Sequence, residues 1–550
     1  MVDLAPFEPV LMESQPPMPH STPHSSTTND TGTGTDTGAG ADHGAHAPQP
    51  GPAHGQAQGR QHTFDAIIVG AGSAGLAALR EVRKHSDNYL VINAGPYGTT
   101  CARVGCMPSK LLIEAANAYH RRHTFETFGI TGSQALAADL PAVLRRLRRL
   151  RDEFVAGTVH ITDELGGKSV AGQARLLDAG RVQVTDAHGG GEQVLHTRRL
   201  VLAPGSHPVL PPPWQALREQ LGDDRILTTD TLFEQTTLGP RMAVIGMGPL
   251  GIEMAQALAR LGVQVHGYAT QELLGGLSDP SVNVELRQAL EAELTLHIGD
   301  EATLHAADDG SGGIEVRSGA HRVVVDQVLA AIGRRPNLDG LGLDTLGVAL
   351  DQRGMPAFNE HTLQVGRLPV YLAGDANNLD PLLHVAVDEG HMAGINAMAD
   401  EPVCFQRRTP LAIVFSEPNA AVVGQGFSAL QKKAQDDNQP YITGAVNFER
   451  QGRARAGQRN DGRLCVYADK ATGRLLGAEL CAPAGEHLAH LLALAIGQKM
   501  TVAGLLGMPF YHPVLEEGLR TALRDAARQL DLEAGSDLAT CEAIGAPALE

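Results

Sequence analysis

Two cysteines, Cys101 and Cys106, stand five positions apart in TTCARVGCMPSK, residues 99–110. Such a pair can form a redox-active disulfide, supply half of a metal site, or remain as inert thiols. In regular helix, Cα atoms five apart lie roughly 8–9 Å from each other, whereas a disulfide needs about 4.4–6.8 Å. A bonded pair therefore requires a bend between the two, and Gly105 supplies one. Pro108 fits only the first turn of a helix, so a helix is expected to begin near Cys106 and run on through LLIEAANAYHRR. That puts Cys106 at the positive end of a helix dipole, where a thiol's pKa falls and its reactivity rises. A zinc site would need two further ligands at short spacing, and none is obvious.

A second group that could do chemistry lies near the other end, in MPFYHPVLEEGLRTALRDA, residues 508–526. His512 precedes a proline, and Glu517 follows five residues later in the opening turn of an apparent helix. A carboxylate at that reach can orient an imidazole as a general base. By itself, a His-Pro at a loop-to-helix junction is more often a structural feature than a catalytic one.

Two glycine-rich turns complete the set. Gly70, Gly72 and Gly75 form GAGSAG between a strand-like run, Ala66–Val69, and a helical pattern. This is the dinucleotide pattern: a tight turn, a close approach to pyrophosphate, and tight helix–strand packing. The acid expected about 20 residues on, for ribose hydroxyls, is replaced by Asn93. Gly246, Gly248 and Gly251 repeat the device in GMGPLG, with Pro249 in the helix's first turn. At its ribose-reading place, near Ala269, there is neither acid nor arginine, so NAD and NADP both stay open.

The elements that carry these residues divide the chain. Two separate βαβ units and a mixed C-terminal segment, with strand-like LAIVF (411–415) and ITGAVNF (442–448), predict an α/β protein with two Rossmann-like dinucleotide-binding domains plus a C-terminal α+β domain. Helices are expected over 486–499 and 515–530. Residues 139–157 predict a long amphipathic helix burying Leu140, Leu144, Leu147, Leu150 and Phe154, its five arginines forming a solvated face. Residues 1–62 are rich in Thr, Gly, Pro, His and Ala and read as a disordered tail. Its histidines, His20, His24, His43, His46, His54 and His62, are irregularly spaced and read as solvated rather than metal-gathering. Residues 531–550 read as a short loose tail.

A formal charge of −18 over 550 residues argues against nucleic acid and anionic membranes. No apolar run is long enough to span a bilayer. The first residues lack the basic-then-apolar pattern of a secretory signal, so a cytoplasmic location is expected. Six cysteines are too few for a disulfide scaffold, which favours a catalytic or metal role for the close pair.

Taken together, GAGSAG, GTTCARVGCMPSK, GMGPLGIE, AGDA and YHPVLEEG resemble, in that order and over about residues 63–530, the class I pyridine nucleotide-disulfide oxidoreductases, nearest to dihydrolipoamide dehydrogenase. The resemblance implies an FAD domain (63–205 and 335–402), an NAD(P) domain (206–334) and a dimerisation domain (403–530). It implies FAD at Gly70, Gly72, Gly75, Asn93 and Thr100, with Gly374 and Asp375 of AGDA at the ribityl chain and Lys110 beside the flavin. It implies the nicotinamide nucleotide at Gly246, Gly248 and Gly251, with Glu253 near both cofactors and Gly333 at a cofactor-side turn. It makes Cys101 the interchange sulfur, the more accessible of the two, and Cys106 the flavin-side sulfur. His512 and Glu517 become a base pair contributed across an obligatory homodimer. The implied reaction oxidises a substrate dithiol, such as a lipoyl protein's, and passes electrons through Cys101/Cys106 and FAD to NAD⁺. Reduction of another disulfide by NAD(P)H, or a redox sensor without turnover, is the alternative. A mercuric reductase would carry a vicinal C-terminal cysteine pair, and Cys541 stands alone. The chain departs from the family pattern at Thr99 (usually Gly), Ala102-Arg103 (commonly Leu-Asn), Pro204 (usually Thr) and Asn93. These departures mark a divergent branch, and Ala102-Arg103 is where a different substrate would be read.

Overall fold

Both strand–glycine–helix units form as their apolar runs dictate. The computed structural model describes residues 62–187 and 189–530; the tail through residue 61, the segment 531–550 and Cys541 lie outside the described residues. In the first unit, Ala66–Val69 has all four residues buried, which suits a parallel strand covered on both faces. Tyr89–Asn93 and Leu200–Leu202 flank it in parallel, and Val370–Leu372 extends the sheet beyond Leu200–Leu202. On the other side, Ser169–Asp178 leads into a three-stranded antiparallel meander, and Thr63–Phe64, parallel to its last strand, completes an eight-stranded sheet among the described residues.

The helix opened by the first glycine turn, Ser73–Val82, packs on Leu383–Met398, some three hundred residues away. A Cβ on Gly390 would stand 2.2 Å from the Ala74 carbonyl oxygen, and one on Gly394 2.5 Å from that of Ala78. The two helices therefore cross backbone to backbone, which brings the AGDA segment next to the first glycine turn.

The second unit is a five-stranded, all-parallel sheet in the order Thr295–Ile298, Gln264–Ala269, Arg241–Ile245, Gln327–Ala330, Ile226–Leu227. The chain enters it through Ser206–Pro208 and leaves through Arg334–Pro336, and these two short strands pair antiparallel. The C-terminal segment is a five-stranded antiparallel sheet, in which Leu411–Val414 and Tyr441–Asn447 form the edges. Helices Gly485–Gly497 and Glu517–Ala527 cover it, with Leu488, Leu492, Leu519 and Leu523 in its core.

The long helix differs from its sequence reading. It runs Leu140–Asp163, capped by the Asp139 carboxylate on Ala142 N, and buries Leu144 and Leu147. Phe154, expected in the core, is 43% exposed. Arg151, expected in the solvated face, is instead buried, with its guanidinium on both oxygens of Glu234 and on Asp152. Periodicity places a residue on a helix face, but a partner on a distant loop decides whether that face is dry. Among the described residues no helix is long and apolar enough to cross a membrane, and no cluster of three or more His, Cys, Asp or Glu could hold a metal ion.

Candidate active site

The cysteine segment folds as two helices with a break. A short helix, Thr100–Val104, stops at Gly105 (φ −124°, ψ −116°), and the long one starts at Cys106 and ends at His120. The bend falls where the spacing required it, and Cys106 occupies the first position of the long helix. The two thiols are free, and the interaction between them is the main cause that shifts each. That interaction, with the Lys110 ammonium one turn further on, pulls Cys106 down to about 7. The same interaction, together with burial, pushes Cys101 well above the ordinary thiol range. The pair thus divides one proton unequally, with the thiolate favoured at Cys106. On accessibility the expectation is reversed: Cys106 is exposed and Cys101 only half-exposed.

Lys110 also reaches out of its helix. Its Nζ donates to Glu253 at 2.8 Å and lies 4.2 Å from the centre of the Phe415 ring. Glu253, 5% exposed, accepts from Phe415 N with its other oxygen at 3.0 Å. One carboxylate therefore ties together the cysteine helix, the helix of the second glycine turn and the residue that follows the first strand of the C-terminal sheet. A neighbouring cross-brace is Arg260, whose guanidinium bonds Glu293, Glu417 and Asn117 at 2.6–2.9 Å with a side chain only 3% exposed.

Beside Thr100 opens a cleft of about 510 Å³ lined by Gly70, Gly72, Asn93, Thr100, Arg103 and Ser206, among others. Gly70 has φ +102° and a Cβ there would lie 2.1 Å from the Ala203 oxygen; at Gly75 it would lie 1.8 Å from the Gly70 oxygen. At Gly72 a Cβ meets nothing within 4 Å, so that position faces open cleft. These residues fit a dinucleotide: rigid glycines shape the turn, and one glycine keeps the helix N-terminus clear for a pyrophosphate. The second turn repeats the pattern: Gly246 has φ +98°, a Cβ on Gly251 would lie 1.8 Å from the Gly246 oxygen, and one on Gly248 would meet nothing within 4 Å. Gly333, at φ +111°, forms the turn after the last strand of that sheet.

Asn93 lies in the first cleft, but its amide is already in use. Oδ1 accepts from Ala71 N at 3.1 Å and Nδ2 donates to the Gly95 carbonyl. It fixes the glycine turn. Asp375 accepts from Ser206 Oγ at 2.7 Å, and Ser206 in turn accepts from Arg334 Nε at 2.8 Å. The AGDA turn is held from behind by buried Glu389, which accepts from Gly374 N and Asn377 Nδ2 and pairs with Arg407. Sequence reading missed Ser206, Arg334, Phe415 and Glu389. Arg334 stood within AAIGRRP beside Gly333, and no local signal marked the other three. Arg103 lines the same cleft, whereas Ala102 is buried.

His512 and Glu517 come together as their spacing predicts, Nδ1 to Oε1 at 3.0 Å. A carboxylate only accepts, so Nδ1 carries the proton and Nε2 is left free. Glu517 also accepts from Val514 N, and the imidazole is the main cause that lowers its pKa. His512 is 80% exposed. The charged groups acting on the cysteine pair are Lys110 and Glu253; the imidazole is not one of them.

A dithiol pair beside one dinucleotide cleft, with a second dinucleotide turn on its own sheet, defines a flavin- and nicotinamide-linked disulfide oxidoreductase. Residues 64–390 match the pyridine nucleotide-disulphide oxidoreductase family, and 411–523 its dimerisation domain. The chain belongs to this family, whose members use FAD and NAD(P)H, and it carries the module through which they form homodimers. A dihydrolipoyl dehydrogenase of Haloferax volcanii is 29% identical over 84% of this chain and 96% of its own. A mercuric reductase of Acidithiobacillus ferrooxidans is 28% identical over 87% and 86%. In fold, the chain is similar to LpdA of Mycobacterium tuberculosis, with a TM-score of 0.71 at 24% identity over 84% and 99%.

Proposed function

We propose that the chain oxidises a substrate dithiol to its disulfide through Cys101 and Cys106, with dihydrolipoamide as donor and NAD⁺ as final acceptor. The observation that carries this reading is the unequal thiol pair, with Cys106 held at about 7 and Cys101 far above it. In the oxidised protein the pair is a disulfide. His512 Nε2 takes a proton from one substrate thiol, and Glu517 stabilises the resulting imidazolium through Nδ1–H. The substrate thiolate attacks Cys101, the Cys101–Cys106 bond breaks, and Cys106 leaves as the thiolate beside Lys110. A thiol with a low pKa leaves faster, so the inequality of the pair favours cleavage in this direction. The second substrate thiol then displaces Cys101 from the mixed disulfide. Cys101 and Cys106 then give up the electron pair as their disulfide re-forms, and a bound FAD would supply the chemistry that links this oxidation to the pyridine nucleotide.

The exposed imidazole and its separate domain support a site completed by His512 of the partner subunit. Gly70, Gly72, Gly75, Thr100 and Asp375 would hold FAD, and Gly246, Gly248, Gly251 and Gly333 the nucleotide. Purified protein assayed with dihydrolipoamide and NAD⁺, against oxidised glutathione and NADPH, tests the reading. Sustained turnover with the first couple supports it. Turnover only with the second would assign the chain to another disulfide, and a reducible flavoprotein without turnover would make it a sensor.

A further inference from the structure

The chain is acidic as a whole, with a formal charge of −18, yet residues 449–459, ERQGRARAGQR, hold four arginines against one glutamate. This stretch adjoins the candidate base. Gln451 caps the short helix Gly452–Ala456 through its Oε1, and its Nε2 donates to the Val514 carbonyl, two residues beyond His512, at 2.7 Å. Beneath it, buried Phe448 lies so close to Gly518 that a Cβ there would stand 2.8 Å from the ring. The basic stretch and the His512 loop are thus one packed unit.

Arginines elsewhere are of two kinds: exposed ones such as Arg80, Arg145, Arg146 and Arg149, which make no ion pair among the described residues, and paired ones. Arg151, Arg241 and Arg260 each meet a carboxylate through two nitrogens. Arg459 reaches Glu417 at 3.5 Å. Arg450, Arg453 and Arg455 are exposed, and none makes an ion pair among the described residues. Arg455 lines an open hollow of about 530 Å³ with Gly452, Ala456, Gln458 and Asn460, and no carboxylate lines it. Glu449 opens the stretch and Asp461 follows it in sequence. Free guanidiniums, an amide-rich hollow and an otherwise anionic molecule describe a local receptor for negative charge.

We infer that Arg450, Arg453 and Arg455 select a low-molecular-weight thiol substrate bearing carboxylates, and present its sulfur to His512. This rests on the dithiol/disulfide reading above and replaces its neutral donor, dihydrolipoamide, by an anionic dithiol such as dihydrolipoate. The size of the hollow favours a small molecule over a protein. Each exposed ion pair is worth a factor of about 1.5 to 5, so three together give roughly tenfold in kcat/KM.

The test uses the FAD-loaded full chain and two probe pairs of unlike charge, each read as the variant's ratio against the parent's: dihydrolipoate against dihydrolipoamide with NAD⁺, and dithiobis(nitrobenzoate) against dithiodipyridine with NADH. The anionic member should be preferred, and the preference should shrink as salt rises. In R450Q/R453Q/R455Q the anionic-to-neutral ratio should fall about tenfold. An unchanged ratio in the variant, or no charge preference in the parent, overturns the inference while leaving the dithiol reading standing. Charge preference among the disulfide probes without any lipoyl turnover would sink dihydrolipoamide as the donor and leave the inference intact. If only an acidic lipoyl-bearing protein, and neither small anion, is affected by the variant, the patch serves a protein partner and the inference fails.

Discussion

Replacing Cys101 by Ala removes the main cause that holds Cys106 at about 7. Burial, the next largest cause, raises the thiol and Lys110 lowers it, so Cys106 should titrate well above 7, at roughly its ordinary value. At pH 7 the thiolate fraction would fall from about one half to a few per cent or less. The more basic thiolate is intrinsically a better nucleophile, by roughly fivefold over such a shift, so the rate at pH 7 falls far less than the population does. The midpoint of the pH profile is therefore the cleaner readout. It is obtained by alkylating the reduced protein with iodoacetamide across pH and quantifying the Cys106 peptide by mass spectrometry, which separates it from exposed Cys404. The parent should show a midpoint near 7 at Cys106 and a far higher one at Cys101. Lys110→Met should move the Cys106 midpoint upward by less than Cys101→Ala does. A midpoint that stays near 7 in Cys101→Ala would falsify the shared-proton account and shift the credit to the helix N-terminus.

Three further outcomes are expected. His512→Gln should slow dithiol oxidation about 10²- to 10⁴-fold, while NADH–ferricyanide electron transfer, which needs no thiol base, continues; equal loss of both would point to a structural role. Gly72→Val should leave a folded protein by circular dichroism, since a Cβ there meets nothing within 4 Å, but one that purifies without yellow flavin; retained flavin would contradict the cleft assignment. Arg260→Met should cost about 3–5 kcal/mol by denaturant titration, because Glu293 and Glu417 lose a nearly buried partner; a change under 1 kcal/mol would show that water reaches those carboxylates.

The motifs legible in the sequence were those whose geometry is local. The glycine turns, the bend at Gly105, the helix start at Cys106 and the His512–Glu517 reach all follow from spacings of six residues or fewer. Contacts across the chain were not legible. Glu253 meets Phe415 N over 162 positions and Ser206 meets Asp375 over 169, and no periodicity encodes either. Arg151 was misread for the same reason, its partner Glu234 being 83 residues away. Thr99, which departs from the usual glycine, adopts φ +56°, a region that disfavours side chains, and offsets part of that strain by accepting from Ala102 N at 3.2 Å. The departure was visible in sequence, whereas the backbone demand behind it was not.

The short ribbon of Ser206–Pro208 and Arg334–Pro336 has a further consequence. Paired strands lie about 4.8 Å apart, and Asn337 bonds Gly205 and Pro204 across the same gap. The chain leaves its first domain and returns more than a hundred residues later at nearly the same point in space. A whole module could thus have been spliced into an ancestral single-nucleotide fold without disturbing its hydrogen-bond ladder. The same junction gives protein engineers a natural seam at which to graft another cofactor module.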